Sequence, residues 1–145
     1  MFAPRAVHMA DVFSKRKRKW IMSRIRGKDT APEKVVRRLL HLHGFRFRLH
    51  RKDLPGVPDI VLPKYRTVIF VNGCFWHGHS CKDGRRPSSN TDYWNQKLDR
   101  NAARDARNLK SLRKMGWRCL TFWACRLKDA NLVESRILRS LRAGN

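Results

Sequence analysis

Apolar and polar positions follow two periods along this chain, and the periods divide it into elements. Val35, Val36, Leu39 and Leu40 recur at helical spacing. Just before them, Thr30-Ala31-Pro32-Glu33 reads as a helix start. Thr at the cap and Glu three residues on form a capping box, and Pro suits the first turn. Gly44 stops this helix. Phe45, Phe47 and Leu49 then alternate with Arg46, Arg48 and His50, which predicts a half-buried strand with a basic outer face. Leu54-Pro55-Gly56-Val57-Pro58 predicts a turn, and Asp59-Ile60-Val61-Leu62 a short strand. Thr67 to Val71 is apolar without alternation, the pattern of a strand at the centre of a sheet. Residues 72–90 follow no period and are rich in Gly, His, Cys and Ser.

Trp94, Leu98, Ala102, Ala106, Leu109 and Leu112 mark the buried face of a long helix from about Asp92 to Met115, closed by Gly116. Trp117 to Trp123 predicts a further strand. Asn131 to Leu141 predicts a last helix, with Asn131 and Glu134 as a second capping box. No repeat or linker interrupts the series, so residues 21–145 read as one α/β domain. Residues 1–20 carry few ordering signals. Their run Lys15-Arg16-Lys17-Arg18-Lys19 predicts a flexible basic arm, either solvated or in contact with DNA. Met9 is an alternative start to Met1.

Charge narrows the function. Lys and Arg number 34 against 11 acids, a net charge of +23 in 145 residues. Self-repulsion of that size opposes compaction unless a polyanion relieves it. Nucleic acid is the first candidate and an anionic membrane surface the second. No apolar run approaches the roughly 20 residues of a membrane span, and the N-terminus lacks a signal-peptide core. The expected location is the cytoplasm, on the nucleoid if the source is bacterial.

Three groups of residues bear chemistry. Cys74, His79 and Cys81 lie within eight residues, and Cys125 follows a predicted strand. Three thiols and an imidazole suit tetrahedral zinc, although buried thiols beside a solvated histidine would give the same string. Cys119, inside the strand, reads as a core residue. Pro58-Asp59 opens a short strand, where many nucleases hold a divalent cation; a turn aspartate is the alternative. An acidic residue two before a lysine, the usual companion, is absent from the next strand, which ends in Val71-Asn72. The carbonyl at that strand end could serve Mg²⁺. Phe75-Trp76-His77 places two aromatics in a polar loop. They read either as stacking groups for bases or as a cover over the core. His77 reads as a general acid or base, or as a rival of His79 for zinc.

Together, Lys28-Asp29-Thr30 with Glu33, Leu54 to Asp59, Tyr65 to Phe70 and Gly73-Cys74-Phe75-Trp76-His77 resemble the very-short-patch repair endonucleases. Arg104-Asp105, Gly116-Trp117-Arg118 and Trp123-Ala124-Cys125 extend the resemblance over roughly residues 9 to 130. It implies a restriction-endonuclease-like fold with a mixed central β-sheet flanked by helices and a structural zinc site. It implies Mg²⁺-dependent nicking of one strand, 5′ to the T of a T·G mismatch. Asp59 would be the catalytic metal ligand, with the Val71 carbonyl as another. His77 would be the general base, and Glu33 would hold the N-terminal region at the site. Cys74, His79, Cys81 and Cys125 would hold Zn²⁺. Phe75, Trp76 and Met22 would intercalate beside the mismatch, and Lys28 would lie on the DNA-binding surface. Asn72 stands where studied relatives carry a second active-site histidine, and Asn does not transfer a proton near neutral pH. The family implies a monomer with mismatch-repair proteins as partners. Two other functions fit the same residues: a restriction-like nicking enzyme without strict mismatch specificity, and an inactive zinc-containing DNA-binding module.

Overall fold

A computed structural model describes residues 14–24 and 28–143. Helix α1 spans Lys15–Arg24. The stretch expected to be a flexible arm is therefore helical in its described part. Lys and Arg are good helix formers, and the Ser14 hydroxyl accepts from the Lys17 N–H at 3.3 Å. Met1 and Met9 lie outside the described residues.

Helix α2, Ala31–Leu42, starts as predicted: the Thr30 hydroxyl accepts from the Glu33 N–H. It stops at Gly44, whose φ of +75° a side chain would resist. Strands β1 (Arg48–Leu49), β2 (Ile60–Leu62) and β3 (Thr67–Asn72) follow, then helix α3 (Thr91–Lys114), strand β4 (Arg118–Trp123) and helix α4 (Ala130–Arg142). The sheet order is β1-β2-β3-β4. The first two pairings are antiparallel and β3–β4 is parallel. A parallel pair needs a long crossover, and α3 supplies it. The expected mixed sheet is thus present, with β3 interior.

The sheet is covered on both faces. Ile60, Leu62, Ile69 and Phe122 pack with Val36 and Leu40 of α2 and Val133, Ile137 and Leu141 of α4. Val61 and Val68 pack with Leu112 of α3, Leu54 and Trp117, and Cys119 lies half-buried against them. No described helix is long and apolar enough to cross a membrane.

Three expectations need correction. The strand after Gly44 is only two residues long, and Leu49 is exposed. Phe45 and Phe47 still pack inward, but His50 takes a left-handed φ of +47°, which ends the alternation. The face of α3 is also differently phased. Ala102 and Ala106 are exposed, whereas Trp94, Leu98, Asn101, Asp105, Asn108 and Leu112 turn inward. Finally, α4 is capped by the Asp129 carboxylate, which accepts from the Leu132 N–H at 3.2 Å. Glu134 is engaged with His43 instead.

Candidate active site and metal centre

Asp59 is the residue before β2, and the antiparallel pairing brings it to the far end of β3. Its Oδ2 accepts from the Val71 N–H at 2.7 Å. The N–H and C=O of a strand residue point to the same side, so the Val71 carbonyl faces the side of β3 on which Asp59 sits. Burial pushes the Asp59 carboxyl up to about 6, with the Glu33 carboxylate adding to the rise against the Val71 N–H. A carboxylate kept out of water beside another carboxylate favours a cation. A carboxylate and a carbonyl are hard oxygen donors of the kind that suit Mg²⁺, whose remaining ligands are usually waters.

Glu33 is 2% exposed, and its carboxylate serves two ends. It accepts from the Asp29 N–H at 3.0 Å, one residue before the Thr30 cap, and from Arg37 Nη2 at 2.9 Å. Arg37 Nη2 also lies 2.8 Å from Asp29 Oδ1 and 3.1 Å from His50 Nε2. Asp29, Glu33 and His50 therefore gather like metal ligands, but the guanidinium is already their cation. Lys28, beside them, is exposed.

His77 Nδ1 lies 2.6 Å from Asp105 Oδ2 on α3. A carboxylate only accepts, so Nδ1 carries the proton and Nε2 the lone pair. His77 is near enough to Asp59 that its imidazolium form would pull that carboxyl down. Asn72 ends β3 opposite Trp123 of β4.

Cys74, His79, Cys81 and Cys125 meet as a separate group, their ligand atoms all within 4.8 Å of one another. Their loop folds over itself at Gly84, where a Cβ would lie 1.9 Å from the His79 carbonyl oxygen. Cys125 Sγ is 3.5 Å from His79 Nδ1, and the His79 ring stacks on Trp123 at 4.3 Å. Burial pushes the Cys74 thiol up to about 12. At Cys81 burial also raises the thiol, but contacts with His79 and Cys74 outweigh it and bring it down to about 7. Three sulfurs and one imidazole nitrogen in a closed cluster can hold a metal ion.

The aromatic pair departs from expectation. Phe75 and Trp76 are not held out together. Phe75 is 3% exposed and packs edge-on against Trp94 at 5.3 Å, with Leu98 beside it. The N-terminal half of α3 needs apolar cover, and Phe75 provides it. Trp76 is half-buried, 5.0 Å from Phe75, with Lys97 Nζ 5.5 Å from its ring and its carbonyl held by Asn101 at 3.1 Å. The backbone of Met22 belongs to α1, and its side chain lies outside the described residues.

Asp105, His50 and Arg37 were not singled out by sequence. Two of them left a readable trace: Arg37 is four residues from Glu33, a helix ion-pair spacing, and Asp105 sits in the inward register of α3.

Comparison with known proteins gives the site its context. The family model described as DNA mismatch endonuclease Vsr matches residues 10–83. A type II nicking enzyme, V.XorIIP of Xanthomonas oryzae pv. oryzae, is 52% identical over 129 residues, covering 89% of this chain and 95% of the relative. A second, V.NmeAIP of Neisseria meningitidis, is 45% identical over 134 residues, with 92% and 96% covered. The DNA mismatch endonuclease Vsr of Escherichia coli is 43% identical over 130 residues, with 90% and 83% covered. The catalytic domain of the homing endonuclease I-Bth0305I shares the fold, with a TM-score of 0.58 at 22% identity over 80% of this chain and 98% of that domain. The chain is a DNA endonuclease and belongs to the family of the DNA mismatch endonuclease Vsr.

Proposed function

We propose that the protein nicks one strand of duplex DNA 5′ to the T of a T·G mismatch, using Mg²⁺ for catalysis and Zn²⁺ for structure. The observation that carries the reading is the His77–Asp105 pair beside a buried Asp59 whose one oxygen is fixed by Val71. Bound by Asp59 and the Val71 carbonyl, Mg²⁺ would supply charge stabilisation at the scissile phosphate.

His77 Nε2 accepts the proton of a water molecule as its oxygen attacks phosphorus. Asp105 stabilises the imidazolium that results. The phosphorus bond to the 3′ oxygen breaks and that oxygen takes a proton from solvent water, leaving a 5′-phosphate and a 3′-hydroxyl. Asn72 is suited to hydrogen-bond a phosphate oxygen rather than to move a proton. Arg37, held by Glu33, reaches His50 and so ties the start of α2 to this site.

Basic residues, Lys28 among them, dock the backbone in a salt-dependent way. Trp76 and Met22 enter the stack, where a mismatch yields more easily than a matched pair. Phe75 would have to leave Trp94 to join them, so its first role is to support Trp76. The four-ligand cluster holds zinc and fixes the loop that carries Trp76 and His77.

The test is a nicking assay with Mg²⁺ on otherwise identical T·G and C·G duplexes. Selective nicking of T·G supports the reading, and Asp59→Ala should abolish it without loss of binding. Equal nicking of both duplexes supports a second reading, nicking without strict mismatch preference. The names of V.XorIIP and V.NmeAIP as type II nicking enzymes favour that alternative.

A further inference from the structure

We propose that His50 is a positioning residue for Asp59, an inference that rests on Asp59 being the catalytic metal ligand. Period-two alternation after Gly44 would send His50 outward with Arg46 and Arg48. The left-handed φ of +47° instead swings its ring into the site. Such a backbone is uncommon outside glycine, although His and Asn tolerate it better than most. Strain of this kind gathers where a side chain must be aimed.

The ring is held at one end and presented at the other. Nε2 lies 3.1 Å from Arg37 Nη2, 3.4 Å from Asp29 Oδ1 and 3.6 Å from Glu33 Oε2. Nδ1 faces Asp59 Oδ1 at 3.9 Å. The main chain makes a second tie, since the His50 N–H donates to the Asp59 carbonyl at 3.3 Å. Asp59 is thus addressed on both oxygens: Val71 fixes Oδ2 and His50 bounds Oδ1. Arg37 gives the ring a firm backing, with its side chain only 14% exposed and two carboxylates on it. The consequence is a carboxylate whose plane is set before an ion arrives. Groups that orient a metal ligand typically carry about 10–100-fold in metal affinity or activity.

The experiment titrates the full-length, zinc-loaded protein with Mn²⁺ in complex with a T·G duplex made uncleavable at the nick site. Bound ion is followed by its electron paramagnetic resonance signal, and melting temperatures are measured alongside. His50→Ala is expected to raise the Mn²⁺ dissociation constant about tenfold or more. His50→Asn is expected to recover most of that loss. Its amide falls where Nδ1 lies, and Asn accepts the left-handed backbone. A merely structural role would lower the melting temperature of both variants and leave Mn²⁺ affinity unchanged, which overturns the proposal. Failure of Asn to recover any affinity also overturns it. Asp59→Ala separates the two layers of the argument. If it binds Mn²⁺ as the unsubstituted chain does, the metal assignment itself falls. If it loses Mn²⁺ while His50→Ala does not, only the role of His50 falls.

Discussion

The His77 imidazole and the Asp105 carboxylate lie 2.6 Å apart, although 28 residues separate them in sequence. The contact ties the loop after β3 to the middle of α3, where polar Asn101, Asp105 and Asn108 interrupt an inward face that is apolar at both ends. It fixes which nitrogen of His77 holds the proton. Asp105→Asn would keep the size of the side chain but could present its N–H to Nδ1, favouring the opposite tautomer. Loss of a positioned general base costs about 10²–10⁴-fold in rate. Single-turnover nicking by Asp105→Asn is therefore expected to fall at least about 100-fold, with duplex affinity retained. An unchanged rate would remove Asp105 from the mechanism.

Asp59 predicts how stability depends on pH when zinc is kept and Mg²⁺ is left out. Its folded-state carboxyl titrates near 6, above the 3.8 of an unperturbed aspartate. The unfolded chain therefore releases this proton at lower pH. The stabilisation from protonated Asp59 is full below about pH 4 and is lost as pH rises through about 6. A shift of about two units corresponds to about 3 kcal/mol. Asp59→Asn should thus be more stable than the unsubstituted chain at pH 7 to 8 by up to that amount, with the advantage shrinking below about pH 5. Mg²⁺ should raise the melting temperature of the unsubstituted chain and not of the variant. Thermal denaturation across pH checks both, and equal curves for the two proteins would refute the burial penalty at Asp59.

The legible part of the site was the part written in short strings. Asp59 followed from a turn and a strand, and the four cluster residues followed from donor type. Glu33 could be read as a cap from Thr30, and it is one, while its carboxylate also faces Arg37. His50 could not be read, because strand alternation carries no sign of a left-handed residue that reverses a side chain. Asp105 was legible only as part of the Arg104-Asp105 string and not by its role, since Ala102 and Ala106 offered an equally regular apolar face one step away. Phe75 was left open between stacking on bases and covering the core for a related reason. Its neighbours in sequence are polar, but its neighbours in space are Trp94 and Leu98.

The cluster of Cys74, His79, Cys81 and Cys125 predicts a protein whose folding depends on its metal. Its three thiols crowd one another, and a closed zinc site contributes folding free energy directly. Elemental analysis should find one zinc per chain. Cys125→Ser should weaken zinc retention and lower the melting temperature. Co²⁺ in place of zinc should give the intense absorption of thiolate ligation in a tetrahedral field. A fully folded protein with no bound metal would exclude the structural zinc.

Phe75 and Trp76 are adjacent, but their substitution should have opposite signatures. Phe75 fills the space between Trp94 and Leu98, so Phe75→Ala leaves a cavity. Truncation of a buried aromatic costs about 3–5 kcal/mol, a large share of the stability of one domain. The expected outcome is a lower melting temperature, with activity loss that follows unfolding. Trp76 is half-buried, with Lys97 near its ring, and gives up less packing on truncation. Trp76→Ala is expected to keep most of the stability while the preference for T·G over C·G duplex falls. Unfolding in urea and competitive binding of the two duplexes separate the cases. If Trp76→Ala still discriminates as the unsubstituted chain does, the stacking role belongs to another side chain, and the exposed Tyr93 beside Lys97 is the next to test.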